Sequence, residues 1–192
     1  MRTLSLAVAL LTAASMATAQ SPADDPYAPR FEIRPFAGTN VPIGNQRDVL
    51  KDAPLFGGQV AYQYWPNLHF LGSVGWAPAK SRYEVRDDGV SIFQYDVGLE
   101  YGMVQPQKEG WLLKPFLGLG AGARTYAYAD GALKDQTCAA GYGALGTEFH
   151  FGATALRLEA RDVVYCFKSP LAGVSSKTRQ DLGLSFGVAF HF

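Results

Sequence analysis

The chain has 192 residues, with 17 basic and 17 acidic side chains, so its formal net charge is zero. This balance gives no basic excess that would indicate nucleic acid as a partner. After residue 19 no segment approaches the roughly 20 apolar residues of a transmembrane helix, so any membrane crossing must be made by β-strands.

The amino terminus has the pattern of a secretory signal peptide. Arg2 precedes a short apolar run from Leu4 to Leu11, and small residues follow up to Ala17-Thr18-Ala19. One positive charge, a short apolar region and an A-x-A site predict a signal peptide over residues 1–19; a retained anchor is the alternative. Residues 20–30 are rich in proline and predict a disordered periplasmic lead-in.

Alternation with a period of two recurs over residues 31–192 and predicts strands with two different faces. In the clearest case, Phe93 to Tyr101, aromatic and aliphatic residues alternate with polar or small ones such as Asp96 and Glu100. The 21 glycines and the many tyrosines and phenylalanines suit curved strands with aromatic girdles. The matches predict eight strands: 31–39, 55–65, 68–78, 91–103, 111–125, 140–151, 154–166 and 180–192.

The connections between these strands alternate in length. Pro66-Asn67 and Gly152-Ala153 are tight, and residues 104–110 form a modest link. The other four connections are long and polar: 40–54, 79–90, 126–139 and 167–179. Short periplasmic turns and long outer loops are typical of a membrane barrel with both termini in the periplasm. The predicted fold class is all-β, an eight-stranded antiparallel up-and-down transmembrane β-barrel.

Four segments resemble a known family, the small outer-membrane β-barrel domains typified by OmpA and OmpX. These segments are Phe31–Gly38, Gln94–Tyr101, Lys114–Gly122 and Leu156–Asp162. The resemblance covers residues 31–192 and implies a monomer in the outer membrane of a Gram-negative-type bacterium, in contact with lipid and lipopolysaccharide. It also implies delivery by periplasmic chaperones and the barrel-assembly machinery. No peptidoglycan-binding domain follows the barrel, so no cell-wall tether is expected.

The last strand ends in an apolar stripe that stops at an aromatic residue. Leu182, Leu184, Phe186 and Val188 continue in register to Phe190 and Phe192. Such a stripe is expected to face lipid in a barrel. The family resemblance implies that Phe190 and Phe192 act as the assembly signal.

Charged residues occupy the face opposite to the apolar one and are expected inside the barrel. They are Glu32, Arg34, Asp96, Glu100, Lys114, Arg124, Glu148, Arg157, Glu159 and Arg161, with Gln59 and Gln63. A turn at Gly152-Ala153 places Glu148 opposite Arg157. Because acids and bases are nearly balanced, we expect a polar plug of ion pairs that fills the interior. A narrow gated path for ions or water is the alternative.

Two cysteines and three histidines are the remaining candidates for chemistry. Cys138 and Cys166 miss direct opposition by one position, so a bulge near the rim would allow a disulfide. His69, His150 and His191 fall on the inward parity near the turns, but their spacing shows no convergence. We therefore expect no metal site, no cofactor and no catalytic residues.

The leading functional hypothesis is a non-enzymatic outer-membrane barrel with a structural or surface-interaction role. Its specificity would lie in the loops, where the mixed charges around Lys80–Asp88 suit lipopolysaccharide phosphates or only water. A lipid A-modifying barrel enzyme resembling PagL or PagP is the first alternative, although no His-x-Ser occurs. A small gated pore is the second alternative, and a soluble lipocalin-like barrel is a third.

Overall fold

The computed structural model describes residues 30–44, 47, 50–80, 89–103, 112–128, 135–151, 154–167 and 177–192. They form eight strands that close into one antiparallel barrel in chain order, with β1 paired to both β2 and β8. The strands are β1 (Arg30–Ile43), β2 (Ala53–Trp65), β3 (Leu68–Lys80), β4 (Gly89–Gly102), β5 (Leu112–Tyr128), β6 (Gln136–Phe151), β7 (Thr154–Phe167) and β8 (Lys177–His191). The predicted fold class is confirmed.

All eight predicted strands are present, and several are longer than the alternation indicates. The largest differences are at β1, which ends at Ile43 instead of residue 39, and at β6, which begins at Gln136 instead of residue 140 and stays paired with β5 there. The Thr125 and Thr137 hydroxyls lie 2.9 Å apart across this pair. Backbone pairing thus continues past the apolar band into polar residues, where alternation of hydrophobicity gives no signal.

The two ends of the barrel differ. The turn end carries both strand termini, Arg30 and His191, and the two-residue turn Pro66-Asn67. Next to that turn the β2–β3 register shifts between Gln63 and Trp65. The loop end lies at the opposite ends of the strands. The predicted signal peptide, residues 20–29 of the lead-in, the Gly152-Ala153 turn, residues 104–110 and most of the four long connections lie outside the described residues.

The outer face of the barrel is apolar and exposed. The most exposed examples are Val97 at 68% and Leu119 at 67%. Aromatic side chains gather towards the ends, including Tyr64 and Trp65 at the turn end and Trp76 towards the loop end. Such a continuous apolar surface is far larger than a water-soluble monomer exposes, and aromatic girdles around an apolar band are typical of membrane barrels. Among the described residues no helix is long and apolar enough to cross a membrane.

The last residue takes part in barrel closure. The backbone N–H of Phe192 donates a hydrogen bond of 2.9 Å to the carbonyl of Phe31, which extends the β8–β1 pairing by one position. Phe192 is 38% exposed on the outer face. The sequence-based expectation that Phe192 serves as an assembly signal stays a prediction.

Deleting Phe192 should impair assembly in cells much more than folding in detergent. The deletion removes one backbone hydrogen bond, which contributes only about 1 kcal/mol, whereas a lost assembly signal would block insertion. The measurement compares the folded fraction in outer membranes with the yield of refolding from urea into micelles. Phe192→Trp, which keeps an aromatic terminus, is the control. Normal insertion of the deletion variant would refute the assembly role.

Candidate functional site

Most of the charged residues predicted to lie inside the barrel are buried there. Because successive side chains of a strand point to opposite faces, Arg157, Glu159 and Arg161 of β7 all project inward. The buried set, none more than 8% exposed, is Glu32, Arg34, Asp96, Glu100, Arg124, Glu148, Arg157, Glu159 and Arg161. Lys114 lies on the same inward face but is only half-buried, and its side chain covers Gly102 at the turn end.

Arg157 is the centre of this interior network. Its guanidinium contacts the carboxylates of Glu100 and Glu148 and lies 2.8 Å from Glu159. It also lies over the ring of Phe116, 3.5 Å from the ring centroid. Glu148 faces Arg157 directly in the β6–β7 register, as the sequence predicted. One arginine therefore neutralises parts of three buried acids from three strands.

Arg34 of β1 reaches two of the same acids, from a strand that only β8 separates from β7. It contacts Glu32 and lies 3.0 Å from Glu100 and 3.4 Å from Glu148. Glu100 and Glu148 are therefore shared between Arg34 and Arg157, so removal of either arginine leaves both acids with fewer partners. Shared and hydrogen-bonded charges are the arrangement in which buried ions are tolerated.

The network continues towards the loop end through Arg161 and Arg124. Arg161 lies 2.7 Å from Glu159 and 2.9 Å from Asp96. Arg124 donates two hydrogen bonds to Asp96, of 2.6 and 3.1 Å, a fork that fits the guanidinium geometry. Acids and bases thus alternate from Arg34 to Arg124 across most of the barrel.

Aromatic residues fill the space beside these ions. Tyr142 lies under the Arg161 guanidinium, 4.3 Å from ring centroid to the central carbon, and packs over Gly98 and Gly120. A Cβ added at Gly120 would lie 2.5 Å from a Tyr142 ring carbon, so glycine is required for this close approach. The cavity beside Arg34 and Arg157 measures about 10 Å³, the space of about one water molecule.

The three histidines converge at the turn end, contrary to the expectation from their spacing. His69 Nε2 and His191 Nδ1 lie 3.5 and 3.3 Å from the same oxygen of Glu32. His150 Nε2 lies 3.1 Å from Glu148, and its ring stacks on His191 at 5.1 Å. The cause is barrel closure, since the β1–β8 register sets Glu32 opposite His191.

The imidazoles extend the ion-pair network at its turn end. The network has five carboxylates, from Glu32, Asp96, Glu100, Glu148 and Glu159, against four guanidiniums. The imidazoles of His191 and His150 contact two of these carboxylates, those of Glu32 and Glu148. In the part of the chain that the structure describes, no group of His, Cys, Asp or Glu has an arrangement that could hold a metal ion.

A second polar cluster near the loop end was missed by the sequence analysis. Tyr126 donates a 2.5 Å hydrogen bond to Tyr165, whose hydroxyl donates to Asp181 at 3.0 Å. Asn40 also donates to Asp181, at 3.4 Å. The sequence could have indicated these residues, because each occupies an inward-facing position of β1, β5, β7 or β8 in the alternating pattern. The cluster adds hydrogen bonds on the loop-end side of Arg124, so polar contacts reach the loop end.

The interior around that cluster is lined by apolar side chains. The sequence pattern predicts a polar plug throughout the interior and does not predict this apolar section. Ala77 and Ala79 of β3 and Val90 and Ile92 of β4 are buried there, and Leu50 joins them from the first long connection. Apolar residues therefore occupy both faces of the barrel wall at this level. The interior consists of an ionic section nearer the turn end and a mixed apolar and tyrosine section nearer the loop end.

The predicted disulfide between Cys138 and Cys166 is wrong in this structure. Both cysteines are free; Cys138 is buried and Cys166 is exposed. Cys138 pairs with Arg124 and points inward, whereas Cys166 pairs with Thr178 and points outward. The β6–β7 register is continuous from Ala140 to Phe151. The bulge that would have brought the cysteines to the same face is therefore missing from these described pairs.

Folded protein in detergent should react with a maleimide reagent at one thiol, and denatured protein at two. Cys166 is exposed and Cys138 is enclosed by the barrel wall, so the Cys166→Ser variant should lose the rapid reaction and Cys138→Ser should keep it. Mass spectrometry of the labelled protein gives the count. If neither thiol reacts until a reductant is added, Cys138 and Cys166 form a disulfide after all.

Comparisons with known proteins agree with this architecture. Residues 5–192 match the model of the outer membrane protein beta-barrel domain family. Neisserial surface protein A (NspA) has 15% identity and a TM-score of 0.64, with 84% of this chain and 97% of that chain covered.

Two structures from Pseudomonas aeruginosa are also similar. OprG has 16% identity and a TM-score of 0.56, with 86% of this chain and 97% of that chain covered. The N-terminal β-barrel domain of OprF has 15% identity and a TM-score of 0.52, with 85% and 97% covered. A comparison with the sequences of curated proteins finds no match. The closed eight-stranded barrel and the match over residues 5–192 show that the chain belongs to the outer membrane protein beta-barrel domain family.

Proposed function

We propose that this chain is a non-enzymatic outer-membrane barrel with a sealed interior and a structural or surface-interaction role at its loop end. The observation that carries the proposal is the continuous alternation of Arg34, Glu100, Arg157, Glu159 and Arg161 across the interior. A fixed set of paired charges supports a rigid wall with no room for a substrate. It also argues against the alternative of a small pore, because the neighbouring cavity holds about one water molecule.

The proposed location is the outer membrane of a Gram-negative-type bacterium after removal of residues 1–19, with the loop end outside. Support comes from the family match, the apolar outer face and the predicted asymmetry of the connections. Outer-membrane lipid and lipopolysaccharide are the proposed surroundings, and periplasmic chaperones and the assembly machinery are the proposed delivery route. We expect a monomer that does not bind nucleic acid.

The competing enzymatic hypothesis is a lipid A-modifying barrel. Such an enzyme needs a nucleophile beside a histidine at the level of the outer leaflet. His69, His150 and His191 instead lie at the turn end, where each contacts Glu32 or Glu148. With the turn end in the periplasm, this position disfavours catalysis on outer-leaflet lipid.

A mass profile of lipid A from cells with and without the protein tests the proposal directly. We expect identical profiles, because His69, His150 and His191 lie at the turn end and not at the level of the outer leaflet. A lipid A species gained or lost only with the intact protein would establish an enzyme and refute the proposal.

A further inference from the structure

We propose that the outer face of β2 to β5 binds one lipid A molecule, with an acyl chain in an apolar groove and phosphate groups at Lys51 and Lys80. This inference rests on the membrane location and orientation proposed above. It assigns a specific lipid contact to one side of the barrel, in addition to the general contact that every outward residue makes with the membrane.

The groove exists because small residues replace large ones on the outer face. It has a volume of about 700 Å³ and includes Gly58, Gly72, Ala121 and Ala123. A Cβ added at Gly58 or at Gly72 would meet no heavy atom within 4 Å. Neither glycine is therefore required by packing within the barrel wall, and each leaves open space on the side that faces the membrane.

Large apolar side chains border this open space. Val60, Val74 and Val97 lie next to the two glycines in the strand registers and are 50, 59 and 68% exposed. An acyl chain between these side chains would be in contact with protein on its flanks as well as beneath it. Bulk lipid is as apolar as this wall, so the groove can favour a bound chain only through closer van der Waals packing on three sides.

Two lysines lie at the loop end above this groove. The backbone N–H of Lys51 donates a 3.0 Å hydrogen bond to the carbonyl of Lys80, and both side chains are exposed. Lys80 and Gly72 are on the same face of β3. At about 3.3 Å per residue, the eight steps between them span about 26 Å along the strand.

Because the strands are tilted, the distance along β3 from Gly72 to Lys80 is larger than their difference in depth in the membrane. With a tilt of about 40°, Gly72 lies about 20 Å below Lys80. Half of a ~30 Å hydrocarbon core plus one interfacial layer has about this thickness. The lysines are therefore at the depth of lipid headgroups while Gly72 is near the midplane. A cation near the surface favours an anionic headgroup about fivefold, although the exposed Asp52 lowers the local charge.

A second outward groove has no cation above it among the described outward residues of β7 and β8. This groove, of about 500 Å³, includes Thr39, Ala160 and Leu184. On the loop-end side of Ala160 lies Asp162, which accepts hydrogen bonds of 2.9 Å from Gln180. Beyond it towards the loop end, the described outward residues of β7 and β8 include no lysine or arginine that could bind a phosphate. Charge complementarity therefore assigns the phosphorylated lipid to the groove beneath Lys51 and Lys80.

The test counts lipid A molecules that remain on the protein after extraction from outer membranes with a mild detergent, by native mass spectrometry. Gly72→Leu fills the groove, and Lys51→Gln with Lys80→Gln removes the cations. Gly143→Leu is the matched control, because Gly143 is also an outward glycine with no atom within 4 Å of an added Cβ. A heat-dependent shift in gel mobility checks that each variant is folded.

We expect one lipid A on the wild type and on Gly143→Leu, and binding weaker by at least about tenfold for Gly72→Leu, because the leucine side chain occupies the groove. The double lysine variant should bind about 30-fold more weakly. Equal retention by Gly72→Leu and Gly143→Leu would overturn the groove. Equal retention of phosphatidylethanolamine, or release of lipid A by inorganic phosphate alone, would overturn the assignment of lipid A as the ligand.

These outcomes are separate from the test of the proposed function. An altered lipid A mass profile in cells would refute the non-enzymatic role whatever the protein retains. Loss of retention with an unaltered profile would refute only the lipid site.

Discussion

Replacing Arg157 by Met should lower the free energy of unfolding by about 3–5 kcal/mol, the usual cost of breaking a buried ion pair. Arg157 is 3% exposed and contacts the carboxylates of Glu100, Glu148 and Glu159. Methionine preserves much of the side-chain volume and the contact with Phe116. The expected loss therefore comes from buried carboxylates that keep their charge and lose a partner.

Urea titration in micelles, followed by tryptophan fluorescence and gel mobility, measures this change. Arg47→Met is the matched control, because Arg47 is exposed and its replacement should change stability by less than about 0.5 kcal/mol. The loss of unfolding free energy for Arg157→Lys should fall between these two values. Lysine keeps the positive charge but loses the forked hydrogen bonds of the guanidinium and its stacking on Phe116. A destabilisation of Arg157→Met no larger than that of Arg47→Met would show that the network contributes little to stability.

The second large effect is expected on the outer face. Leu184→Arg should destabilise the protein by about 2–4 kcal/mol in lipid vesicles, the cost of an arginine at the bilayer midplane of a barrel. Leu184 is at the middle of β8 and is 43% exposed. Leu117, which is 52% exposed on β5, should behave similarly where it faces the hydrocarbon core.

The matched control is Thr178→Arg on the same face of the same strand. Thr178 is exposed at the loop end of β8, where an arginine reaches the interface and should cost about 0–1 kcal/mol. Equilibrium unfolding in vesicles of defined thickness gives both values. A near-neutral Leu184→Arg would reverse the assignment of inner and outer faces.

Local alternation predicts much of this fold because each strand has chemically different faces. Where one face meets lipid and the other carries charge, as in Leu156 to Arg161, the pattern predicts both the strand and its orientation. It is weaker at the loop end, where Ala77, Ala79 and Ile92 are buried inside and apolar residues also lie outside. For that reason the alternation did not predict the mixed apolar and tyrosine section of the interior.

Contacts between distant strands could not be read from one sequence. The meeting of His69, His191 and Glu32 depends on barrel closure and on the register between the first and last strands. The cysteine prediction required a bulge, and a shift of one residue moves a side chain to the other face. Continuous β6–β7 pairing keeps Cys138 inside and Cys166 outside.

Conductance across a planar lipid bilayer measures whether paired side chains seal the interior of the barrel, as we propose. Arg34, Glu100, Arg157, Glu159 and Arg161 form a connected set inside the barrel, so an ion would have to displace buried pairs to pass. Purified, folded protein reconstituted at single-molecule density should therefore show little steady conductance. Large, regular single-channel steps from the wild-type protein would contradict a sealed interior and support a pore.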